Sequence, residues 1–326
     1  MRTPSKIFAA LSFACLLALQ AGAAAAQAYP DRPIRLVVPF PAGGGADFMA
    51  RALAQKLSPQ LGQPVVLDHR AGAGGTIAAE TTAIAAPDGH TLMFATLGTH
   101  AINPSLYAKL RYDPVKDFAP IGLTHVAPRV LVVHPSLGVT SVKELIALAK
   151  TNPGKLTFGS SGNGGVNHLA GELFKTLAGV DMIHVPYKGA APASVDLLGG
   201  RLSMAFDSIV VWTEYIKSGK VRALGVSSAA RSGALPNVPT IAEAGLPGFD
   251  VANWLGVLAP AHTPPAIVAR LNAELKIAAA DPEMRQQLVA AGIDPMYSSP
   301  EAFGDIIRKD IAKWAAVVKS SGARLD

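Results

Sequence analysis

The chain has 326 residues and one cysteine, and its 29 Lys and Arg residues outnumber its 23 Asp and Glu residues, giving a net charge of +6. The basic residues are scattered and form no run, so the charge does not indicate a nucleic-acid partner. An anionic small ligand would explain the mild positive balance, and so would a soluble surface that happens to be basic.

The first 28 residues have the pattern of a secretory signal peptide. Two basic residues precede an uncharged apolar run over residues 7–26, and the small-x-small sequence of residues 26–28 offers a cleavage site before Tyr29. Cys15 lies inside the apolar run and is expected to leave with the leader. An uncleaved anchor is the alternative, because about 20 apolar residues could span a bilayer.

The predicted mature chain, residues 29–326, has 298 residues and no cysteine. Loss of two basic residues leaves 27 basic and 23 acidic residues, a net charge of +4. We expect this chain to fold on packed cores without disulfides, with length enough for two domains. Its predicted location is the periplasm.

Strand and helix patterns alternate along the first part of the mature chain. Predicted strands cover residues 34–38, 65–67 and 91–95. Between them lie a helix with apolar residues every four positions from Met49 to Leu61, and a second helix from Gly72 to about Ala86.

A second set follows the same alternation. Predicted strands cover residues 130–133, 157–158, 182–185, 204–206 and 221–226, and predicted helices follow Ser141 and cover residues 169–177, 190–199 and 212–217. Ser141 and Glu144 have the spacing of a capping box. One more strand at residues 254–258 precedes a helical tail.

Alternation of this kind predicts an α/β protein with mainly parallel sheets flanked by helices. Pro- and Gly-rich stretches near residues 113–122 and 235–248 are candidate boundary segments. A single sheet could absorb all strands, but we prefer two domains. They would comprise residues 29–128 with 250–326, and residues 129–249.

Three turns rich in Gly, Ser or Thr each follow a predicted strand and enter a helix, over residues 39–47, 96–100 and 159–165. Glycine lets backbone approach a ligand closely, and the first amides of a helix lack internal partners and favour an anion. In open α/β sheets, ligands bind beyond the carboxyl ends of the strands, where these turns lie. The alternative is that they only make tight corners.

Other chemistries have weak support. The first turn lacks the Gly-Lys-Ser/Thr ending of a P-loop, and Ile77 occupies the place of the third glycine in a dinucleotide fingerprint. No G-x-S-x-G elbow surrounds Ser160 or Ser161, and no histidine pair has metal-binding spacing. We therefore expect no cofactor, no metal and no enzymatic activity.

Seven motifs in order carry a resemblance that covers nearly the whole mature chain: VVPFPAGGGAD, AGAGG, AAPDGHTL, GTHAINPSLY, GSSGNGG, VPYKGAAPA and NWLGVLAP. Together they resemble the periplasmic substrate-binding proteins of tripartite tricarboxylate transporters, the TctC or Bug family. The resemblance implies a two-domain, type II-like Venus-flytrap protein that binds a small carboxylate. It also implies delivery to a permease of one large and one small subunit, by a protein expected to be monomeric.

The resemblance also implies ligand-binding residues. The first domain would contribute Phe40, Gly43, Gly44, Gly45, Ala46, Asp47, Thr96, Thr99 and His100. The second would contribute Ser160, Ser161, Asn163, Gly164, His168, Tyr187, Lys188 and Asp207. Asp47 is expected to orient the turn or to accept a hydrogen bond from the ligand or a water, with a helix-start cap as the alternative. Lys188 could instead be a solvated rim residue, and Asp207 the partner of a cleft amide.

Two departures from the family pattern concern the distal part of the pocket. Leu97 replaces a residue that is commonly polar, and Arg129 stands where Asn is usual. We hypothesise that both tune the pocket, with Arg129 available for a second carboxylate; a surface arginine is the alternative. A ligand sensor for a receptor kinase and a hydrolase or lyase acting on a small acid are the rival functions.

Overall fold

The computed structural model describes residues 29–325, so the predicted leader and Cys15 lie outside the described residues. Two sheets organise this part of the chain. The first sheet contains β1 (Ile34–Val38), β2 (Val65–His69), β3 (Thr91–Thr96), β4 (Phe118–Val126), β10 (Trp254–Pro260) and β11 (Asp294–Pro295). The second contains β5 (Arg129–Val133), β6 (Thr157–Ser160), β7 (Ile183–Pro186), β8 (Met204–Ser208) and β9 (Arg222–Val226).

Helices follow most of these strands. They are α1 (Gly45–Leu61), α2 (Thr76–Ala83), α3 (Asn103–Leu106), α4 (Val142–Thr151), α5 (Val166–Ala178), α6 (Ala190–Leu198), α7 (Ile209–Lys217), α8 (Pro265–Ala280), α9 (Pro282–Ala290) and α10 (Pro300–Ser321). Ser141 caps α4 as predicted, since its Oγ accepts the amide of Glu144 at 3.2 Å. Within residues 29–325, no helix is both long and apolar enough to cross a membrane.

Both sheets are mixed, which differs from the mainly parallel sheets expected from the sequence. The orders are β11-β4-β10-β3-β1-β2 and β7-β6-β8-β5-β9. Strands β2, β1 and β3 pair in parallel, and so do β7, β6 and β8, because a helix connects consecutive strands in each set. Strands β4, β5, β9, β10 and β11 pair antiparallel with their neighbours. The antiparallel strands include those that carry the chain between the sheets.

The stretch around residues 113–122, predicted as a boundary segment, is partly strand. Phe118–Val126 forms β4. Pro120 is tolerated in this strand because β11 pairs only with Val126 and His125, which leaves the edge at Pro120 open. Two residues, Ala127 and Pro128, then separate β4 from β5. The chain therefore passes between the sheets over a very short connection.

The largest hydrophobic cluster contains residues of both sheets, including Met93 of β3 and Phe158 of β6. Helix α10 bridges them, since it packs against β4 and against α5 of the second sheet. Buried Trp254 fixes this helix by donating its indole N–H to Asp310 Oδ2 at 2.7 Å. We refer to each sheet with its flanking helices as the first and second lobe.

Candidate functional site

A cleft of about 900 Å³ lies between the lobes. The first lobe lines it with Phe40, Pro41, Ala42, Gly43, Gly44, Gly45, Ala46, Phe48, Met49, Thr96, Gly98, Leu255, Ala291 and Ile293. The second lobe contributes Arg129, Val166, Ser208 and Val210, and the connecting segments contribute Ala127 and Asn253. A cavity of this size and composition suits a small organic ligand.

The turn between β1 and α1 forms one wall of the cleft. Gly43 has a φ of 84°, a left-handed conformation that favours glycine. Its amide donates to Asp47 Oδ2 at 3.0 Å, which ties the turn back onto the first turn of α1. The turn is therefore held in shape from within the protein.

Asp47 is itself fixed by two cationic or polar partners. Arg51 Nη2 donates to Asp47 Oδ1 at 3.0 Å, and His69 Nε2 lies 2.7 Å from the same oxygen. The Gly43 amide, with help from His69 and Arg51, holds the pKa of the Asp47 carboxyl below its usual range against the effect of burial. These contacts connect Asp47 to the turn between β1 and α1.

The amides at the start of α1 are available to an anion. Gly44 is the N-cap of this 17-residue helix and makes no side-chain cap, and the first amides of a helix have no intrahelical acceptor. A Cβ placed on Gly45 would meet no atom within 4 Å. Residues 44–46 also line the cleft, so open space lies beside a helix start whose amides the helix dipole makes electropositive.

The turn after β3 enters the cleft only in part. Thr96 and Gly98 line it, but Gly98–Ile102 forms a π-helical turn that places Thr99 and His100 in the protein interior. Thr99 Oγ1 lies 2.9 Å from His100 Nδ1. Burial lowers the pKa of His100 to about 3, so this residue is a neutral core histidine.

The second-lobe turn over residues 160–165 is built on a histidine pair. The rings of His168 and His184 stack with centroids 3.8 Å apart. Gly164 donates its amide to His168 Nδ1 at 3.1 Å, and Ser160 Oγ lies 2.6 Å from His184 Nε2. Burial is the main cause that lowers the pKa of each histidine to about 4, so both are neutral near pH 7.

Ser160 and His184 have the spacing of a nucleophile and its base, which sequence reasoning did not identify. Ser160 is only 2% exposed, however, and its Oγ also donates to Gly162 O at 3.0 Å. Both groups are thus engaged in holding the turn. The arrangement explains the turn's shape better than it explains catalysis.

A narrow crevice beside the cleft contains further polar side chains of the second lobe. Ser160, Ser161, Asn167 and Asp207 line it. Asp207 Oδ1 accepts the side-chain amide of Asn167 at 3.1 Å and the backbone amide of Ser208 at 2.7 Å. Asp207 therefore has partners within the second lobe.

The predicted site residues fall into three groups. Seven line the cleft: Phe40, Gly43, Gly44, Gly45, Ala46, Thr96 and Arg129. Three line the crevice: Ser160, Ser161 and Asp207. Eight line neither cavity: Asp47, Thr99, His100, Asn163, Gly164, His168, Tyr187 and Lys188.

Some of the last group have evident structural reasons for their positions. The Tyr187 hydroxyl donates to Asp196 at 2.6 Å, and burial together with Asp196 raises the pKa of Tyr187 to about 12. Lys188 and Asn163 are exposed at turns. Leu97, expected to tune the pocket, is fully buried in the core, so the structure gives it a packing role instead.

Arg129 is the first residue of β5 and lines the cleft. Its backbone is fixed on one side by Ser227, whose Oγ accepts the Arg129 amide at 2.9 Å. On the other side it pairs with Ser208 of β8, another cleft residue. Among the described residues, its buried Nε has no hydrogen-bond partner.

Sequence reasoning missed most of the apolar cleft wall. Phe48 and Met49 lie in helix α1, where the four-residue repeat indicates only that Met49 belongs to the apolar face. Asn253 belongs to the motif NWLGVLAP and could have been found there. Ala291 and Ile293 follow α9 and reach the cleft only through tertiary packing, so no local signal marks them.

No group of three or more His, Cys, Asp or Glu side chains suited to a metal ion occurs within residues 29–325. What the site offers is a set of backbone amides, one arginine and an apolar wall between two lobes. That combination can bind an organic anion.

Two α/β lobes enclosing such a cleft define the class of periplasmic binding proteins. The solved periplasmic binding protein BugD is 36% identical, with a TM-score of 0.71 over 91% of this chain and 99% of its own. The family model described as tripartite tricarboxylate transporter family receptor, TctC, matches residues 49–323. The chain therefore belongs to the TctC family, whose members are periplasmic binding proteins.

Curated relatives agree with this assignment. A protein encoded between tcbD and tcbE in Pseudomonas sp. (strain P51) is 42% identical, covering 90% of this chain and 87% of the relative. BugT of Bordetella pertussis is 40% identical, with 92% of each chain covered.

Two similar solved structures contain dicarboxylates. Rpa4515 of R. palustris, solved with adipate, is 40% identical with a TM-score of 0.74, covering 90% of this chain and 98% of its own. MatC from Rhodopseudomonas palustris, solved with bound malate, is 35% identical with a TM-score of 0.69, covering 89% and 100%.

Proposed function

We propose that this protein is exported to the periplasm, captures a small carboxylate between its two lobes and delivers it to a tripartite tricarboxylate-type permease of one large and one small subunit. The observation that carries the proposal is the row of open helix-start amides at Gly44–Ala46, facing a cleft of about 900 Å³ that both lobes line. The signal-peptide pattern of residues 1–28 supports export.

The first ligand contact is made by backbone. A carboxylate oxygen accepts the amides of residues 44–46, whose orientation Asp47 maintains through Gly43. Because backbone amides recognise the charged group alone, the remainder of the molecule is selected by the cleft wall. This agrees with relatives that contain chemically different diacids, adipate and malate.

Capture then proceeds by closure of the lobes. Residues 29–128 with 250–326 form one moving unit and residues 129–249 the other, connected by the short segments around Ala127 and Asn253. A ligand that contacts both lobes favours the closed form by its differential contacts. Closure brings the exposed second-lobe side chains Ser161 and Asn163 toward the ligand, and excluding water strengthens the amide–carboxylate bonds.

A thermal-shift screen of the mature protein tests the proposal. Mono-, di-, tri- and aromatic carboxylates are offered, and a ligand at 100 times its dissociation constant should stabilise the protein by about 2.7 kcal/mol. Amines and neutral sugars of similar size are the controls. A flat response to every carboxylate would contradict the proposal, and chemical turnover of a ligand would favour the enzyme alternative.

A further inference from the structure

Arg129 stands out among the cleft residues because its charge lacks a partner. No acidic side chain of residues 29–325 comes within ion-pair distance of its guanidinium, and its Nε is both buried and without a hydrogen bond. A buried donor without an acceptor costs free energy, and Arg129 Nε is such a donor. Because Arg129 lines the cleft, a ligand bound there could supply the missing partner.

Asp207 is the acidic residue near enough to influence Arg129. Burial lowers the pKa of the Arg129 guanidinium, and the Asp207 carboxylate opposes this effect only in part. Yet Asp207 Oδ1 already accepts hydrogen bonds from Asn167 and from the Ser208 amide, and it faces the crevice. Asp207 therefore moderates the local charge without taking the donors of Arg129.

The backbone of Arg129 is fixed on both sides, so its side chain starts from a defined point in the cleft wall. Its amide and carbonyl both bond to Ser227, at 2.9 and 2.8 Å, and β8 pairs with it on the other side. The planar guanidinium that this backbone carries can donate two parallel hydrogen bonds to a carboxylate. Lysine, as a point charge, could not reproduce that geometry.

The cleft between the α1 turn and Arg129 is largely apolar. Its wall includes Phe40, Phe48, Met49, Val210, Leu255 and Ile293. A ligand hydroxyl that loses water there without finding a partner would weaken binding, whereas methylene groups or an aromatic ring would gain from burial. The wall thus discriminates by the polarity of the ligand's body.

We propose that Arg129 is the receptor for a second ligand carboxylate, and that the ligand is a dicarboxylate with an apolar body. One carboxylate binds the amides of residues 44–46 and the other the Arg129 guanidinium, with an unsubstituted chain or ring between them. This inference rests on the proposed function and sharpens it. It distinguishes the ligand from hydroxylated acids such as the malate of MatC and from monocarboxylates.

Calorimetric titration of matched ligand pairs tests the inference. Adipate is compared with hexanoate, benzene-1,4-dicarboxylate with benzoate, and succinate with malate. The wild-type protein should bind the better apolar diacid about 10- to 100-fold more tightly than the corresponding monoacid, since the monoacid lacks a charge-assisted pair. Succinate should bind more tightly than malate.

Arg129→Gln should abolish the preference for the diacid while changing monoacid affinity by less than about 2-fold. Arg129→Lys should recover only part of the lost affinity, because it keeps the charge but not the paired donors. Arg308→Gln is the matched control, since that arginine is exposed, lies outside the cleft and removes the same charge. Circular dichroism and a melting curve check that each variant folds.

Equal loss of monoacid and diacid binding in folded Arg129→Gln would give Arg129 a merely structural role and overturn the inference. So would an unchanged diacid affinity, or a wild-type protein that prefers malate to succinate. Binding of monoacids without any diacid preference would refute this inference alone. Failure of every carboxylate to bind would instead refute the proposed function.

Discussion

The two walls of the cleft present different polar groups to a ligand. The first-lobe wall presents backbone amides at residues 44–46, kept in place by the buried Asp47. The second-lobe wall presents side chains, with Arg129 in the cleft and a crevice of serine, asparagine and aspartate beside it. In the proposed function, the first lobe therefore binds one carboxylate through backbone amides and supplies most of the apolar wall, whereas the second lobe adds the charged side chain of Arg129.

A side chain that fills the space beside the amides of residues 44–46 should reduce carboxylate affinity more than any other change considered. Gly45→Leu places a side chain where a Cβ meets no neighbour, so the fold should be kept within about 0.5 kcal/mol. Carboxylate binding should fall by more than about 100-fold, because several charge-assisted hydrogen bonds are blocked together. Titration calorimetry and a melting curve measure the two quantities.

Gly43→Ala is the matched comparison for that variant. The φ of 84° at this position makes alanine strained, so stability should fall by about 1 kcal/mol or more while the cleft stays open. Normal ligand binding by Gly45→Leu would show that the amides are not the anion site.

Removal of the carboxylate that orients the amide wall should have the next largest effect. Asp47→Ala leaves the Gly43 amide without its acceptor and separates Arg51 and His69 from their partner. We expect a loss of about 1 to 3 kcal/mol in the free energy of unfolding and a weakening of ligand binding by about 10-fold. Urea unfolding and calorimetry test both, and unchanged affinity in Asp47→Ala would refute the orienting role.

Acidification should destabilise the second-lobe turn that His168 and His184 support. The pKa values of His168 and His184 are lowered to about 4, so the unfolded chain, with ordinary histidine pKa values near 6.5, binds more protons between those limits. Stability should therefore fall as pH decreases from about 6.5 to about 4, by at most about 1.4 kcal/mol per pH unit and histidine.

A melting curve at each pH checks this prediction, with His184→Gln as the comparison. Loss of one low-pKa histidine should make the pH dependence shallower, even though the buried contact with Ser160 changes. A slope identical to that of the wild type would show that this histidine does not titrate as described.

The smallest effect is expected at the rim of the second lobe. Lys188 is exposed and lines neither the cleft nor the crevice. Lys188→Gln should change ligand affinity by less than about 2-fold at physiological salt, because exposed charges are well screened. A loss of 10-fold or more, measured by calorimetry, would bring this lysine into the site on closure.

Local pattern was sufficient to predict most strands, but not the pairing of those that cross between lobes. The strand Ile34–Val38 and the helix cap at Ser141 could both be predicted from the residues that form them. In β4, Pro120 and Gly122 suggested a boundary, and the strand exists because β10 pairs along its whole length. That stabilisation is tertiary and leaves no local signature.

The same distinction holds at the site. The three turns were found because Gly and Ser residues between a strand and a helix have a direct physical reading. Whether a turn residue points outward is decided by how the helix begins, and the π-helical turn at Gly98–Ile102 buries His100. Ile293 reaches the cleft from almost 250 residues beyond Gly45, which no spacing rule could indicate.

A crystal structure of the mature protein with an apolar diacid tests the central claim most directly. The account predicts one ligand carboxylate within about 3 Å of the amides of residues 44–46, the other on the Arg129 guanidinium, and both lobes in contact with the ligand. A diacid bound away from those amides, or held by one lobe alone, would contradict it.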